Sequence, residues 1–242
     1  DRLEKFEPIT DARRRTYAAM TSAMDDAVGR VLATLRENGL EENTLIFFLS
    51  DNGGPLDRNG SLNTPLNGEK GHMLEGGIRT PYLVQWKAKL PAGKVFEQPV
   101  SSLDISATAL AAAEVAAPAN LDGVNLFPYF TGEKESRPHE VLYWRMKARD
   151  IWAIRKGDWK LVTHNGWHDL PAAKPKPRLI NLAADAGELH DLSEKEPAKL
   201  SELQNAYNTW AATLPEPLWS TDVSPEATKA RQDRVKRQKM KK

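Results

Sequence analysis

Cysteine is absent from all 242 residues. That excludes a disulfide framework, a thiolate metal site and a cysteine nucleophile within the chain. An excess of one charge is also lacking: 34 Lys and Arg face 33 Asp and Glu, leaving a formal net charge of +1. The balance gives no electrostatic case for nucleic acid or an anionic membrane as partner, and neither is expected. No apolar run approaches the roughly 18 to 20 residues that cross a bilayer, which predicts a soluble protein. The opening "DRLEKFEP" is charged and shows no signal peptide. What remains is ordinary globular material, 40% apolar and 28% charged with seven tryptophans. It is enough for one large domain, or one domain with an appendage.

The stretch "TDARRRTYAAMTSAMDDAVGRVLATLRENG" reads as one long helix, with Thr10 or Asp11 as its cap and Asn38-Gly39 as its stop. Tyr17, Met20, Met24, Val28, Val31 and Leu35 recur at three- and four-residue steps and predict one apolar stripe. Leu45 to Leu49 is a short, nearly continuous apolar run, which fits a strand buried on both faces. A helix feeding such a strand points to an α/β layered fold with a mostly parallel sheet flanked by helices. Gly53 to Gly68 is a long irregular segment of the kind that is often functional. "TPYLVQW" predicts a second strand with Pro81 confined to its start. "SSLDISATALAAAEV" predicts a short helix capped by Ser102 or Asp104.

After Pro138 the texture changes. "HEVLYWRM", "DIWAIRKGDWKLVTH" and "PRLINLA" are short aromatic and β-branched runs joined by tight turns, which predicts a small antiparallel sheet. The following "SEKEPAKLSELQNAYNTWAATL" is an amphipathic helix with Leu200, Leu203, Tyr207 and Trp210 on one face. The expected division is a catalytic-type α/β region over 1–137, a sheet-plus-helix subdomain over 138–219, and a basic, disordered tail over 220–242.

Two constellations bear chemistry. Asp51 and Asn52 follow the first strand directly, in "FFLSDNGG". In open α/β sheets, ligands bind beyond the carboxyl ends of strands. A carboxylate beside an amide carbonyl offers hard oxygen ligands suited to calcium or magnesium. A plain strand-end turn, with Asp51 capping the loop backbone, accounts for the same residues. The second constellation is "NTPLNGEKGHMLEGGIRTP", where Lys70 sits in a glycine-flanked loop and can reach an anion as a compact point charge. Within it, Glu75 and Arg79 read as a structural pair that pins the loop. His72 lies nearer this chemistry than His164, Trp167 and His168 of "THNGWHDL", which can contact a sugar or aryl group at a pocket mouth or simply face solvent.

Together the two segments resemble the sulfatase family of the alkaline phosphatase superfamily, in its arylsulfatase and N-acetylgalactosamine-6-sulfatase-like form. The family pattern is a strand, Ser-Asp-Asn-Gly, then N-x-P-L-R-G-x-K-G-x-x-x-E-G-G-x-R-x-P. Asn63, Pro65, Leu66, Gly68, Lys70, Gly71, Glu75, Gly76, Gly77, Arg79 and Pro81 match it. Asn67 stands where arginine is usual, and His72 where a small hydroxyl residue is common. Later stretches, including "WAIRKGDWKLV" and "ELHDLSEKEP", also look like family landmarks. The resemblance implies an alkaline-phosphatase-like sandwich, here in part. It implies that Asp51 and Asn52 ligate one calcium ion and that Lys70 binds the substrate sulfate. Two-zinc phosphatases of the superfamily place histidine directly after this aspartate, and Asn52 is a poor zinc ligand.

The resemblance also implies a formylglycine nucleophile made from Cys or Ser in C/S-x-P-x-R, and no serine of this chain has that context. The family's upstream Asp-Asp metal pair and its assisting lysine and histidine have no counterpart either. Asp25-Asp26 lies mid-helix and reads as a solvated face. The expectation is therefore the C-terminal half of a sulfuric ester hydrolase, with a sulfated small molecule or glycan as substrate and formylglycine in a preceding half. Such a piece is expected to be inactive alone and to self-associate through an exposed sheet edge. By resemblance the whole protein is secreted, periplasmic or lysosomal. Two other readings are a non-catalytic sulfated-glycan-binding module and a phosphoester or phosphonate hydrolase of the same superfamily.

Overall fold

The computed structural model describes residues 2–147, 150–163 and 176–216. His164, Trp167, His168 and the basic tail lie outside these described residues.

Helix α1 spans Ala12–Glu37. Asp11 caps it, its carboxylate accepting the Arg14 amide at 2.7 Å, and the chain leaves through Asn38 and a left-handed Gly39. The apolar stripe expected along it is only half covered. Tyr17, Val28 and Leu35 are partly buried, whereas Met20, Met24 and Val31 are exposed. Asp26 is on the solvated side and pairs with Arg2 at 2.6 Å.

Strands β1 (Ile46–Leu49) and β2 (Tyr82–Gln85) form a two-stranded sheet. The pair runs antiparallel, with Ile46 opposite Gln85 and Leu49 opposite Tyr82, so the parallel arrangement expected for these strands is not what forms. No helical crossover links them. The intervening segment carries only the one-turn helices α2 (Leu56–Asn59) and α3 (Glu75–Ile78) and returns the chain to the same end of the sheet. Nor is β1 buried on both faces. The cross-strand neighbours Phe48 and Leu83 are 41% and 57% exposed, because no described element packs over them.

Helix α4 (Asp104–Ala112) begins without a side-chain cap, so Ser102 and Asp104 do not play that role. Asp104 is instead fully buried in the first turn. It accepts the amides of Ser101 at 2.7 Å and Val124 at 2.9 Å and holds His139 at 2.8 Å. A buried carboxylate needs such partners, and these tie α4 to the connector after it and to the start of the C-terminal sheet. The one-turn helix α5 (Phe127–Phe130) lies in that connector.

The C-terminal region follows its sequence pattern closely. Strands β3 (Val141–Met146), β4 (Ile151–Lys156), β5 (Trp159–Val162) and β6 (Arg178–Asn181) form an antiparallel meander in chain order. Helix α6 (Pro197–Ala212) covers one face. There Trp152, Ile154, Leu161, Leu179, Leu203 and Tyr207 make one core, with Trp152 stacked on Tyr207 and Tyr143 on Trp210. On the opposite face Ile151, Ala153, Val162, Ile180 and Leu182 pack against Met73 and Leu74 of the loop before α3. Alternation along β4 and β5 feeds both cores, so this sheet is buried on two sides.

Candidate functional site

Asp51 and Asn52 leave the end of β1 where the ladder finishes, the Ser50 amide donating to Pro81 O at 3.2 Å. Glycine fixes the turn after them. The Gly53 amide donates to Gly77 O at 2.9 Å, and a Cβ on Gly53 would stand 1.7 Å from Gly76 O. Two backbones approach closer here than any side chain permits. The Gly76 amide in turn donates to Asn67 O at 2.7 Å, and a Cβ on Gly76 would stand 2.5 Å from that same oxygen. Asn63 completes the clamp with its side chain alone. Its carbonyl accepts the Gly54 amide at 3.0 Å, and its NH₂ donates to Gly54 O at 2.9 Å and Gly68 O at 3.0 Å. The Ser-Asp-Asn-Gly-Gly turn and the Glu-Gly-Gly helix start, whose Gly53 and Gly76 are 23 residues apart in sequence, are thus one backbone unit.

Asp51 and Asn52 line a broad open groove of about 1610 Å³ together with Gly71, His72, Arg79 and Arg155. Neither the Asp51 carboxylate nor the Asn52 amide makes a hydrogen bond or ion pair with another described residue. His72 is held in the loop, its Nδ1 accepting the Glu69 amide at 3.3 Å. Lys70 is exposed beside it and makes no ion pair among the described residues, but it is not part of the groove wall. The structure therefore brings Asp51, Asn52 and His72 to one groove and leaves Lys70 at the neighbouring turn. Tyr82 also lines the groove. Burial, and secondarily the Asp104 carboxylate, pushes its phenol up to about 12, so it stays protonated and neutral at ordinary pH.

Glu75 does not pair with Arg79 through its carboxylate; the only bond between them runs from the Arg79 amide to Glu75 O, at 2.7 Å. Its partner is Lys160 of β5, which is fully buried and donates from Nζ to Glu75 Oε1 at 2.8 Å. Glu188, also fully buried, places Oε1 2.8 Å from the same Nζ in an ionic contact, and its Oε2 accepts the Glu75 amide at 2.6 Å. Arg155 approaches Glu75 Oε2 at 3.6 Å. Burial pushes the Glu188 carboxyl above its ordinary value, with Lys160 opposing. Removing one member of such a triad strands a buried charge, which typically costs about 3–5 kcal/mol. Sequence reading missed it because Lys160 and Glu188 lie 85 and 113 residues beyond Glu75. The one signal was a lysine inside the apolar strand "WKLV".

Two family models match this chain. "Sulfatase" covers residues 2–115, and "N-sulphoglucosamine sulphohydrolase, C-terminal" covers residues 68–209, more than half of the chain. The chain belongs to the sulfatase family. It is 38% identical over 130 residues to the uncharacterized sulfatase YdeN of Escherichia coli K12, covering 53% of this chain and 23% of that one. To the N-acetylgalactosamine-6-sulfatase of Canis lupus familiaris it is 33% identical over 167 residues, covering 65% and 31%. Among solved structures, Ps i-CgsB in complex with k-i-k-neocarrahexaose superposes with a TM-score of 0.81 at 34% identity, covering 96% of this chain and 50% of that one. The chain thus spans 23% and 31% of those curated relatives and half of that solved chain. Its fold is the alkaline-phosphatase-like α/β arrangement of its structural neighbours, with small antiparallel sheets.

Proposed function

We propose that this chain forms part of a sulfuric ester hydrolase in which Asp51 and Asn52 supply two oxygen ligands to a calcium ion. The observation that carries the reading is the pair itself: two hard oxygen donors, unpartnered among the described residues, side by side on the wall of an open groove. Calcium takes six to eight oxygens, so two donors are a partial set. Among the described residues no group of three or more His, Asp or Glu completes it. Bound there, the ion supplies positive charge to the oxygens of a sulfate ester. Lys70 adds an exposed ammonium on the same loop as His72, so developing negative charge meets positive partners. The formylglycine nucleophile belongs to a segment that this chain does not contain.

A sulfated glycan fits this groove better than a small aryl ester. The groove is broad and open, with Trp144, Tyr129 and Phe130 among its lining, and apolar rings suit saccharide faces. The similar Ps i-CgsB holds a neocarrahexaose. Self-association is part of the same proposal, since the exposed Phe48–Leu83 pair offers an apolar patch on an unpaired sheet.

The test compares sulfate release by this chain and by a version extended upstream, both made with calcium in a formylglycine-generating host. Activity only in the extended form is expected, with Asp51→Asn and Lys70→Ala each lowering it at least a hundredfold. An extended form that binds sulfated glycan without turnover would instead favour the binding module. Preferential turnover of a phosphonate monoester would favour the other hydrolase class.

A further inference from the structure

We infer that Lys160, with Glu75 and Glu188, is a positioning residue for the candidate ion site: the buried triad sets the backbone that carries Asn52 on one side and Lys70 on the other. The inference rests on the calcium and sulfate reading proposed above. It adds residues from a different region of the fold, none of which is offered as a ligand.

The path is continuous and short. Lys160 Nζ holds Glu75 Oε1 at 2.8 Å, and Glu188 Oε2 holds the Glu75 amide at 2.6 Å, so both ends of Glu75 are fixed from the C-terminal region. The next two residues are the glycines that bear the site. Gly76 donates to Asn67 O, three residues before Lys70, and Gly77 O receives the amide of Gly53, next to Asn52. A shift of Glu75 therefore moves both oxygen and ammonium groups. Apolar packing holds this loop through Met73, Leu74 and Ile78, while Gly68, Gly71, Gly76 and Gly77 between and before them have no side chains by which to be held. A charged triad supplies what apolar contact lacks, namely direction: each bond admits one placement of Glu75. Well-packed apolar residues of similar volume often serve stability as well or better, so stability alone does not account for three buried charges here.

The test uses the whole 242-residue chain and the triple variant E75Q/K160M/E188Q, which removes all three charges of the triad together and leaves Arg155, 3.6 Å from Glu75, as the one charge that loses a partner. Amide exchange at Gly53, Gly76 and Gly77 is measured alongside Ile154 and Leu161, and calcium is titrated. In the folded variant, exchange at the three glycines is expected to rise at least tenfold while Ile154 and Leu161 keep their protection. The calcium midpoint is expected to rise tenfold to a hundredfold, the usual effect of losing a partner that orients a ligand. Unchanged exchange at the three glycines overturns the inference, whatever the calcium result. If the unsubstituted chain takes up no calcium, as two donors of a partial set allow, the titration is repeated on the upstream-extended form, where no uptake overturns the ligand reading, and the exchange comparison still decides the positioning role. Should the triple variant not fold, Glu188→Leu, which removes the acceptor of the Glu75 amide and keeps the Lys160–Glu75 pair, replaces it. Faster exchange at the Glu75 amide and at Gly76 then supports the inference, and no change overturns it.

Discussion

The C-terminal sheet and the region before it solve the same problem in opposite ways. Strands β4, β5 and β6 bury apolar residues on both faces, between α6 and the Met73–Leu74 loop. Among the described residues, the region before residue 116 holds nearly all the large apolar side chains that remain exposed, among them Met20, Val31, Phe48, Leu83 and Val95. The candidate site sits in this second region, where glycine contacts, the Asn63 clamp and a buried ion triad accompany the apolar contacts of Met73 and Leu74. One region thus completes its core within the chain. The other leaves apolar surface exposed and meets the first through the Glu75–Lys160–Glu188 triad.

The contrast can be broken most forcefully at Leu161, which is fully buried beneath α6. Leu161→Ala is expected to cost about 2–5 kcal/mol in denaturant unfolding. A loss below about 1 kcal/mol would mean that the sheet does not enclose a tightly packed core. Gly53→Ala comes next. Its Cβ must displace the Gly76 carbonyl, so a loss of about 1–3 kcal/mol is expected, together with loss of calcium uptake. A variant as stable as the parent, with calcium binding intact, would show that the two loops can separate freely.

Leu83→Thr tests the other side of the contrast. It leaves an exposed strand position β-branched, so stability is expected to change by no more than about 0.5 kcal/mol. Sedimentation is expected to show less self-association. A monodisperse parent at the same concentration would remove that surface from the proposal.

The smallest effect belongs to Glu202 on α6, whose carboxyl is drawn from 4.5 down to about 2 by hydrogen bonds and charge from Lys156 and Lys199. A lowered folded value means stability present above 4.5 and lost as pH falls from there towards about 2. Glu202→Gln is expected to flatten the acid limb of the thermal midpoint slightly in that window and to leave pH 7 behaviour nearly unchanged. An identical acid limb in parent and variant would show that solvent screens the contacts completely.

Sequence pattern alone determined the length of α1, the antiparallel C-terminal sheet and the apolar face of α6. In each case a local period or turn residue reports what the backbone does over a few neighbours. It also placed Asp51 and Asn52 at a strand end and Lys70 and His72 on a glycine loop. Only the tertiary structure decided the antiparallel pairing of β1 with β2, the exposure of Met20 and Phe48, and the exchange of Arg79 for Lys160 as partner of the Glu75 carboxylate. Those outcomes depend on which distant segment arrives to cover a surface or neutralise a charge, and sequence separation hides that arrival. The glycines of the site belong to both accounts. Their presence is written in the chain, but the reason for them, two backbones meeting with no room for a Cβ, exists only once the chain has folded.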